Sequence, residues 1–272
     1  MISVTDVTVT IGDHTLLHDI TFTARAGEVT GLIGPNGAGK STMLAVLSGD
    51  LERQSGEISV AGCDPAVTAP QELARARAVM LQDVTVSFDF LVRDVVAMGR
   101  RPWHNKPQAE YDDAIIDAAL RATDTTHLAG RDISTLSGGE RARVALARVL
   151  AQQTPVIMLD EPTAALDIKH QEQVLGLVRC IAETAGVAVI VVVHDLNAAA
   201  AYCDHIICLA DGVVASAGPV EEVYTSDNLS RIYGWPIHVT TTDGVVSVQP
   251  ARRRITDNAE NLLDLISERI TL

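Results

Sequence analysis

One loop constrains this chain more than any other feature. Residues 34–41 read Gly-Pro-Asn-Gly-Ala-Gly-Lys-Ser, with the apolar run Val29–Ile33 before them and a helix-favouring stretch from Lys40 to Gly49 behind. Glycines at 34, 37 and 39 let the backbone wrap a phosphate closely, and the N–H groups of the loop and of the following helix favour its negative charge. Lys40 would then reach the outer phosphates, and Ser41 would offer a hydroxyl to Mg2+. An accidental glycine turn would not require a strand in front and a helix behind, so Gly34, Pro35, Asn36, Gly37, Ala38, Gly39, Lys40, Ser41 and Thr42 form a candidate phosphate cradle.

The rest of the chain supplies a sheet to carry that loop. Ile2–Val9 and Leu16–Ala24 are β-rich, Ile58–Val60 suggests an edge strand, and Gln71–Ala78 is helix-like before a return to strand at Val79–Leu81. From Val92 to Ala151 the pattern turns helical, with stripes at Ile115, Ala119 and Leu120 and at Val144, Ala147 and Leu150. This reads as a helical insertion. Beyond it, Val156–Leu159 and Val187–Val193 are continuous apolar, β-branched runs that suit parallel strands covered on both faces, joined by a helix over Ile168–Ala185. Asp211-Gly212 and Asp243-Gly244 each punctuate a hairpin. The tail from Ile255 to Leu272 carries an apolar stripe at helical spacing and is expected to pack on its own domain or against a partner copy.

Three further groups point at the same chemistry. Asp160-Glu161 follows the buried run Val156–Leu159, at the strand end where ligands bind in such sheets. In isolation the pair could be a helix cap; beside the upstream loop, Asp160 suits Mg2+ and Glu161 suits polarisation of an attacking water. His194 ends the strongest β-run, placed to hydrogen-bond a terminal phosphate. Leu136-Ser-Gly-Gly-Glu140 is by itself an ordinary N-cap and turn, but its free N–H groups and the Ser137 hydroxyl would equally suit a phosphate held elsewhere.

Composition narrows the class. The net charge of −14 repels polyanions, and the only long basic run is Arg252–Arg254, so nucleic acid is not an expected partner. Cys63, Cys180, Cys203 and Cys208 lack metal spacing and fit thiols in a reducing compartment. No secretion leader is expected, and Val187–Val193 is far short of the ~20 residues a membrane span needs.

The order and spacing of the loop at 34–41, Gln82, Leu-Ser-Gly-Gly-Glu at 136–140, Val156–Glu161, Ala165-Leu166-Asp167 and His194 resemble the nucleotide-binding subunit of an ABC transporter. The resemblance covers residues 1 to about 250. It implies an α/β fold: a P-loop NTPase (RecA-like) core from 1–83 and 155–225, with an N-terminal antiparallel β subdomain, an inserted α-helical subdomain at 84–154 and a C-terminal extension at 226–272. It implies ATP and Mg2+ as cofactors, with Ser41, Gln82 and Asp160 at the metal and Glu161, His194 and Gln82 in catalysis. It also implies a head-to-tail homodimer, in which Ser137, Gly138, Gly139 and Glu140 of one chain close on the ATP held by Lys40 of the other while Asp167 lines the seam. Two transmembrane permease subunits and an extracytoplasmic substrate-binding protein would complete the system at the cytoplasmic face of the membrane. An aromatic residue stacks on adenine in the family, where this chain has Ile11, which offers apolar contact without a π face; the loss is on the order of 1 kcal/mol.

Val95–Trp103, His194–Ala199 and Tyr202–Asp204 are similar to importers of iron chelates, haem and cobalamin, and Tyr233–Val239 and Val248–Arg253 to haemin importer ATPases. Cargo would cross through other subunits, so His238 and Cys203 are not read as haem ligands. A siderophore or cobalamin importer and a soluble ATPase of iron–sulfur assembly are the alternatives. A DNA or ribosome factor would need a long coiled coil, a second cassette or a basic face.

Overall fold

The structure is a computed structural model that describes residues 1–81 and 90–252. Strands β1 (Ile2–Ile11) and β2 (His14–Ala24) precede β3 (Val29–Ile33), α1 (Lys40–Ser48), β4 (Ser55–Val60), α2 (Pro70–Ala76) and β5 (Arg77–Met80). Helices α3 (Val92–Ala97), α4 (Asp112–Ala122) and α5 (Gly138–Ala151) follow, then β6 (Val156–Asp160), α6 (Ile168–Ala185), β7 (Ala188–Val192), α7 (Leu196–Tyr202) and β8 (His205–Ala210). The described chain ends with β9 (Val213–Pro219), α8 (Val220–Val223), α9 (Ser226–Tyr233), β10 (Ile237–Thr242) and β11 (Val245–Pro250).

The central sheet runs β5-β6-β7-β3-β8-β9, parallel from β5 to β8 and antiparallel only at β9. Every residue of β3, β6 and β7 is buried, which is why those stretches read as unbroken apolar runs. These three strands are neighbours, and pairing of Leu32 and Asp160 with Val192 aligns their C-terminal ends. Whatever follows each strand is therefore delivered to one edge. A separate antiparallel sheet, β2-β1-β4, covers the P-loop side of the core, with Val9, Leu17 and Ile20 packed on Met43 and Leu47 of α1.

The helical segment has its own small core. Val96, Ile116, Leu120, Leu128, Ile133, Val144 and Ala147 pack together, while the opposite face of α5, at Ala145, Leu146 and Val149, joins the main core. One helix thus ties the two cores. Of the stripe read on α4, Ala119 and Leu120 are buried, but the third core position is Ile116, whereas Ile115 is only partly covered because it faces an open groove with Tyr111, Ala118, Leu150 and Ile181. Residues 226–252 are part of the same body, since Leu229, Ile232, Ile237 and Val248 belong to the main core. Asn197 of α7 fastens β11, accepting from the Val248 N–H at 2.8 Å and donating to its carbonyl at 3.3 Å. The tail helix expected from residue 255 onward lies outside the described residues.

Candidate nucleotide site

Gly34 leaves β3 with φ +144, and a Cβ there would sit 2.0 Å from the Leu209 carbonyl oxygen, so only glycine allows this loop to lie against β8. Gly39 caps α1 in the left-handed region, where a Cβ would sit 2.5 Å from Leu17 Cδ2. Lys40 begins the helix and is 7 % exposed. Its Nζ donates to the carbonyls of Gly34 at 2.8 Å and Pro35 at 3.0 Å. Burial pulls the ammonium pKa down, and the nearby Glu161 and Asp160 carboxylates work in the other direction.

Asp160 closes β6 and is 6 % exposed. Its Oδ1 is buried with no hydrogen-bond partner among the described residues, and the Ser41 hydroxyl lies near its carboxylate. Burial, then repulsion from Glu161, pushes the Asp160 carboxyl up despite Ser41, His194 and Lys40. A buried, orphaned carboxylate oxygen beside a hydroxyl is a hard-oxygen donor pair that fits Mg2+ when phosphate oxygens complete its shell. Glu161 adopts φ +49, unusual for a residue with a side chain, and its N–H donates to the Val192 carbonyl at 3.2 Å. That turn lifts the carboxylate off the strand end toward His194, whose Nε2 lies 2.5 Å from Glu161 Oε1. A cavity of about 460 Å³ is lined by Leu16, Asn36, Gly37, Gly39, Lys40, Ser41, Thr42, Glu161 and His194.

Gly34, Pro35 and Ala38 shape the loop without lining this cavity; the Ala38 N–H donates to the Pro35 carbonyl. Ile11 does not line it either. It is 51 % exposed at the β1–β2 turn, and the apolar wall comes from Leu16 on the outward face of β2, whose neighbour Leu17 turns inward. The period-two alternation of that strand was the available signal for Leu16. Gln82 lies outside the described residues.

Ser137, Gly138, Gly139 and Glu140 form a second cavity of about 540 Å³ with Arg143, Ala165, Leu166, Asp167 and His170. It shares no residue with the first. Ser137 is the N-cap of α5 in a capping box: its hydroxyl accepts the Glu140 N–H, and Glu140 Oε2 accepts from the Ser137 N–H and hydroxyl, both at 2.8 Å. Glu140 therefore holds the loop in shape, and its bonds to Ser137 keep its carboxyl below the usual range. Asp167 caps α6, accepting from the His170 N–H at 2.9 Å with His170 Nδ1 at 2.7 Å. Arg143 had no signal in the sequence pattern. It is buried, with Nε and Nη1 lacking hydrogen-bond partners among the described residues, and adds positive charge to this wall.

Because its folded-state pKa is raised, ionised Asp160 costs stability, and the cost grows as pH climbs from the ordinary carboxylate value. Asp160→Asn should raise the melting temperature of the nucleotide-free chain at pH 7 by about 2 °C or more. At about pH 3, below the ordinary carboxylate pKa of ~3.9, where the group is mostly protonated in the folded and unfolded chain alike, the gain should fade. The same variant should lose Mg2+-dependent hydrolysis, so differential scanning calorimetry and phosphate release should move in opposite directions.

A family model described as ABC transporter matches residues 17–164, more than half of the chain. The hemin import ATP-binding protein HmuV of Nocardia farcinica is 53% identical over 82% of this chain and 77% of its own length. The cobalamin import ATP-binding protein BtuD of Halobacterium salinarum is 39% identical over 97% of this chain and 67% of its own. Among solved structures, one described as an inward-facing metal-chelate type ABC transporter superposes with a TM-score of 0.78 at 26% identity, covering 94% of this chain and 98% of that one. A dimeric ATP-binding cassette in a post-hydrolysis state, bound to ADP and Pi, superposes at 0.72 with 27% identity, covering 81% and 99%.

Proposed function

The chain belongs to the ABC transporter family as an ATP-hydrolysing subunit of an importer, and on that premise we propose that its cargo is haem. The observation that carries the cargo is the greater identity to the haemin-import relative than to the cobalamin-import one. Within the site, Lys40 leaves the Gly34 and Pro35 carbonyls for the outer phosphates of ATP, and the loop N–H groups take the rest of the charge. Ser41 and Asp160, together with Gln82, would hold Mg2+, which would neutralise phosphate charge and orient the triphosphate. Glu161 orients the attacking water and takes its proton, and His194 keeps that carboxylate at the strand end while it faces the terminal phosphate.

The second cavity belongs to a partner copy's nucleotide. Its separation from the first within one chain favours a head-to-tail dimer in which Ser137, Gly138 and Gly139 cover the phosphates held by the other subunit, with Asp167 at the seam. Among the described residues no helix is long and apolar enough to cross a membrane. Two permease subunits would therefore provide the path, this chain would sit on their cytoplasmic face, and an extracytoplasmic protein would deliver the cargo.

The test is reconstitution with the cognate permease in liposomes. Haemin-loaded binding protein should stimulate hydrolysis severalfold and drive haemin uptake, and cobalamin- or ferric-siderophore-loaded protein should not. Uptake of cobalamin or siderophore in place of haemin overturns the cargo, and purification without any multi-span membrane protein overturns the importer reading.

A further inference from the structure

The second cavity has a positive group in its wall whose donors are not engaged. Arg143 lies on the same face of α5 as Gly139, one turn further along, and helical side chains lean toward the N-terminus, so its stem runs back toward a residue that has no side chain of its own. It is 8 % exposed, and its Nε and Nη1 are buried without an acceptor among the described residues. The carboxylates that share the cavity are occupied within their own loops. Glu140 Oε2 accepts from the Ser137 N–H and hydroxyl, and Asp167 Oδ1 accepts the His170 N–H and lies 2.7 Å from His170 Nδ1. Two unmet cationic donors therefore sit behind the N-terminus of a 14-residue helix, the end where its dipole is positive. The separate chain bears the cost of those donors, and an anionic acceptor entering the cavity would remove it.

We propose that Arg143 is a phosphate-binding residue that acts on the other copy's nucleotide: when two chains meet head to tail, its guanidinium pairs with an oxygen of the triphosphate seated in the partner's phosphate loop. The proposal deepens the two-copy reading of this cavity and rests on it. Ser137, Gly138 and Gly139 bring only neutral N–H and hydroxyl groups to the incoming phosphates, whereas Arg143 brings a permanent charge. Its planar fork carries several donors, and a turn about the stem bonds brings Nε and Nη1 from the wall to the anion. The contact exists only across two copies. Arg143 is thus unfavourable in the separate chain and favourable in the closed pair, which ties closure to the presence of the terminal phosphates.

The full-length Glu161→Gln chain with Mg2+ and ATP is the reference, since it binds the triphosphate without turning it over. Arg143→Met keeps the length of the stem and removes the charge. In sedimentation, its ATP-dependent dimer should dissociate at a concentration about 100-fold higher than the reference, because each dimer holds two such contacts and a hydrogen bond to a charged group is worth about tenfold or more. Arg143→Lys, which keeps the charge, should lose less than tenfold. Two readouts separate this from a packing role: calorimetric ADP affinity at the chain's own phosphate loop should stay within twofold, and the melting temperature of the nucleotide-free chain should not fall in Arg143→Met. A loss of dimer below tenfold in Arg143→Met overturns the proposal. So does a lowered melting temperature, or an Arg143→Lys chain as weak as Arg143→Met, either of which would mark support of the α5 N-terminus and not a charge contact. A Glu161→Gln chain that stays monomeric with ATP overturns the two-copy reading itself, and this proposal with it.

Discussion

Glu161→Gln should slow hydrolysis by about 10²- to 10⁴-fold while ATP stays bound at the parent's affinity. The amide keeps the shape of the carboxylate and one acceptor for the attacking water, but it cannot take the proton that water must lose. Among the described residues, the other carboxylate at the strand ends, Asp160, is buried beside Ser41 and suited to the metal rather than to the water. The left-handed turn at residue 161 is available to glutamine as readily as to glutamate, so the local fold should persist. Phosphate release against calorimetric ATP affinity checks both halves, and turnover within tenfold of the parent contradicts the assignment of Glu161 as the base.

Lys40→Ala should act on the earlier step, lowering affinity for ATP on the order of 100-fold. The ammonium is buried and unites two carbonyls of its own loop, and its charge interacts with both Glu161 and Asp160. Without it, a triphosphate would enter a cavity whose other near charges are both negative. The loop should also lose its ATP-free closure across Gly34 and Pro35. Equilibrium binding of ATP separates this variant from Glu161→Gln, since one fails to bind and the other fails to react; parent-like affinity in Lys40→Ala would refute the cradle.

The parts of the fold that were legible in the sequence are those where burial leaves a one-dimensional trace. Val29–Ile33, Val156–Leu159 and Val187–Val193 are apolar throughout because both faces of the central strands are covered, and the residues that follow them had to arrive together once the strands were neighbours. Ser137 and Glu140 likewise carry the spacing of a capping box, and the structure shows that bond. Contacts set by how whole layers meet left no such trace. Whether Ile11 or Leu16 walls the cavity depends on how the β1–β2 hairpin lies across the loop, and a shift of one residue along β2 exchanges inward for outward faces. The exchange of Ile115 for Ile116 at one core position of α4 has the same origin, since the phase of a helix is fixed by what packs on it.

The composite pocket is tested most directly by the mass of the Glu161→Gln chain in solution, measured by sedimentation with saturating ATP and Mg2+, with and without Ser137→Arg. Ser137 is exposed at the N-terminus of α5, away from the first cavity, so arginine there should leave the chain folded and its own ATP bound. The predicted result is a nucleotide-dependent dimer for Glu161→Gln and a monomer, still carrying ATP, for the double variant. A Glu161→Gln chain that remains monomeric with ATP, or a dimer indifferent to Ser137→Arg, would contradict a site built from two copies.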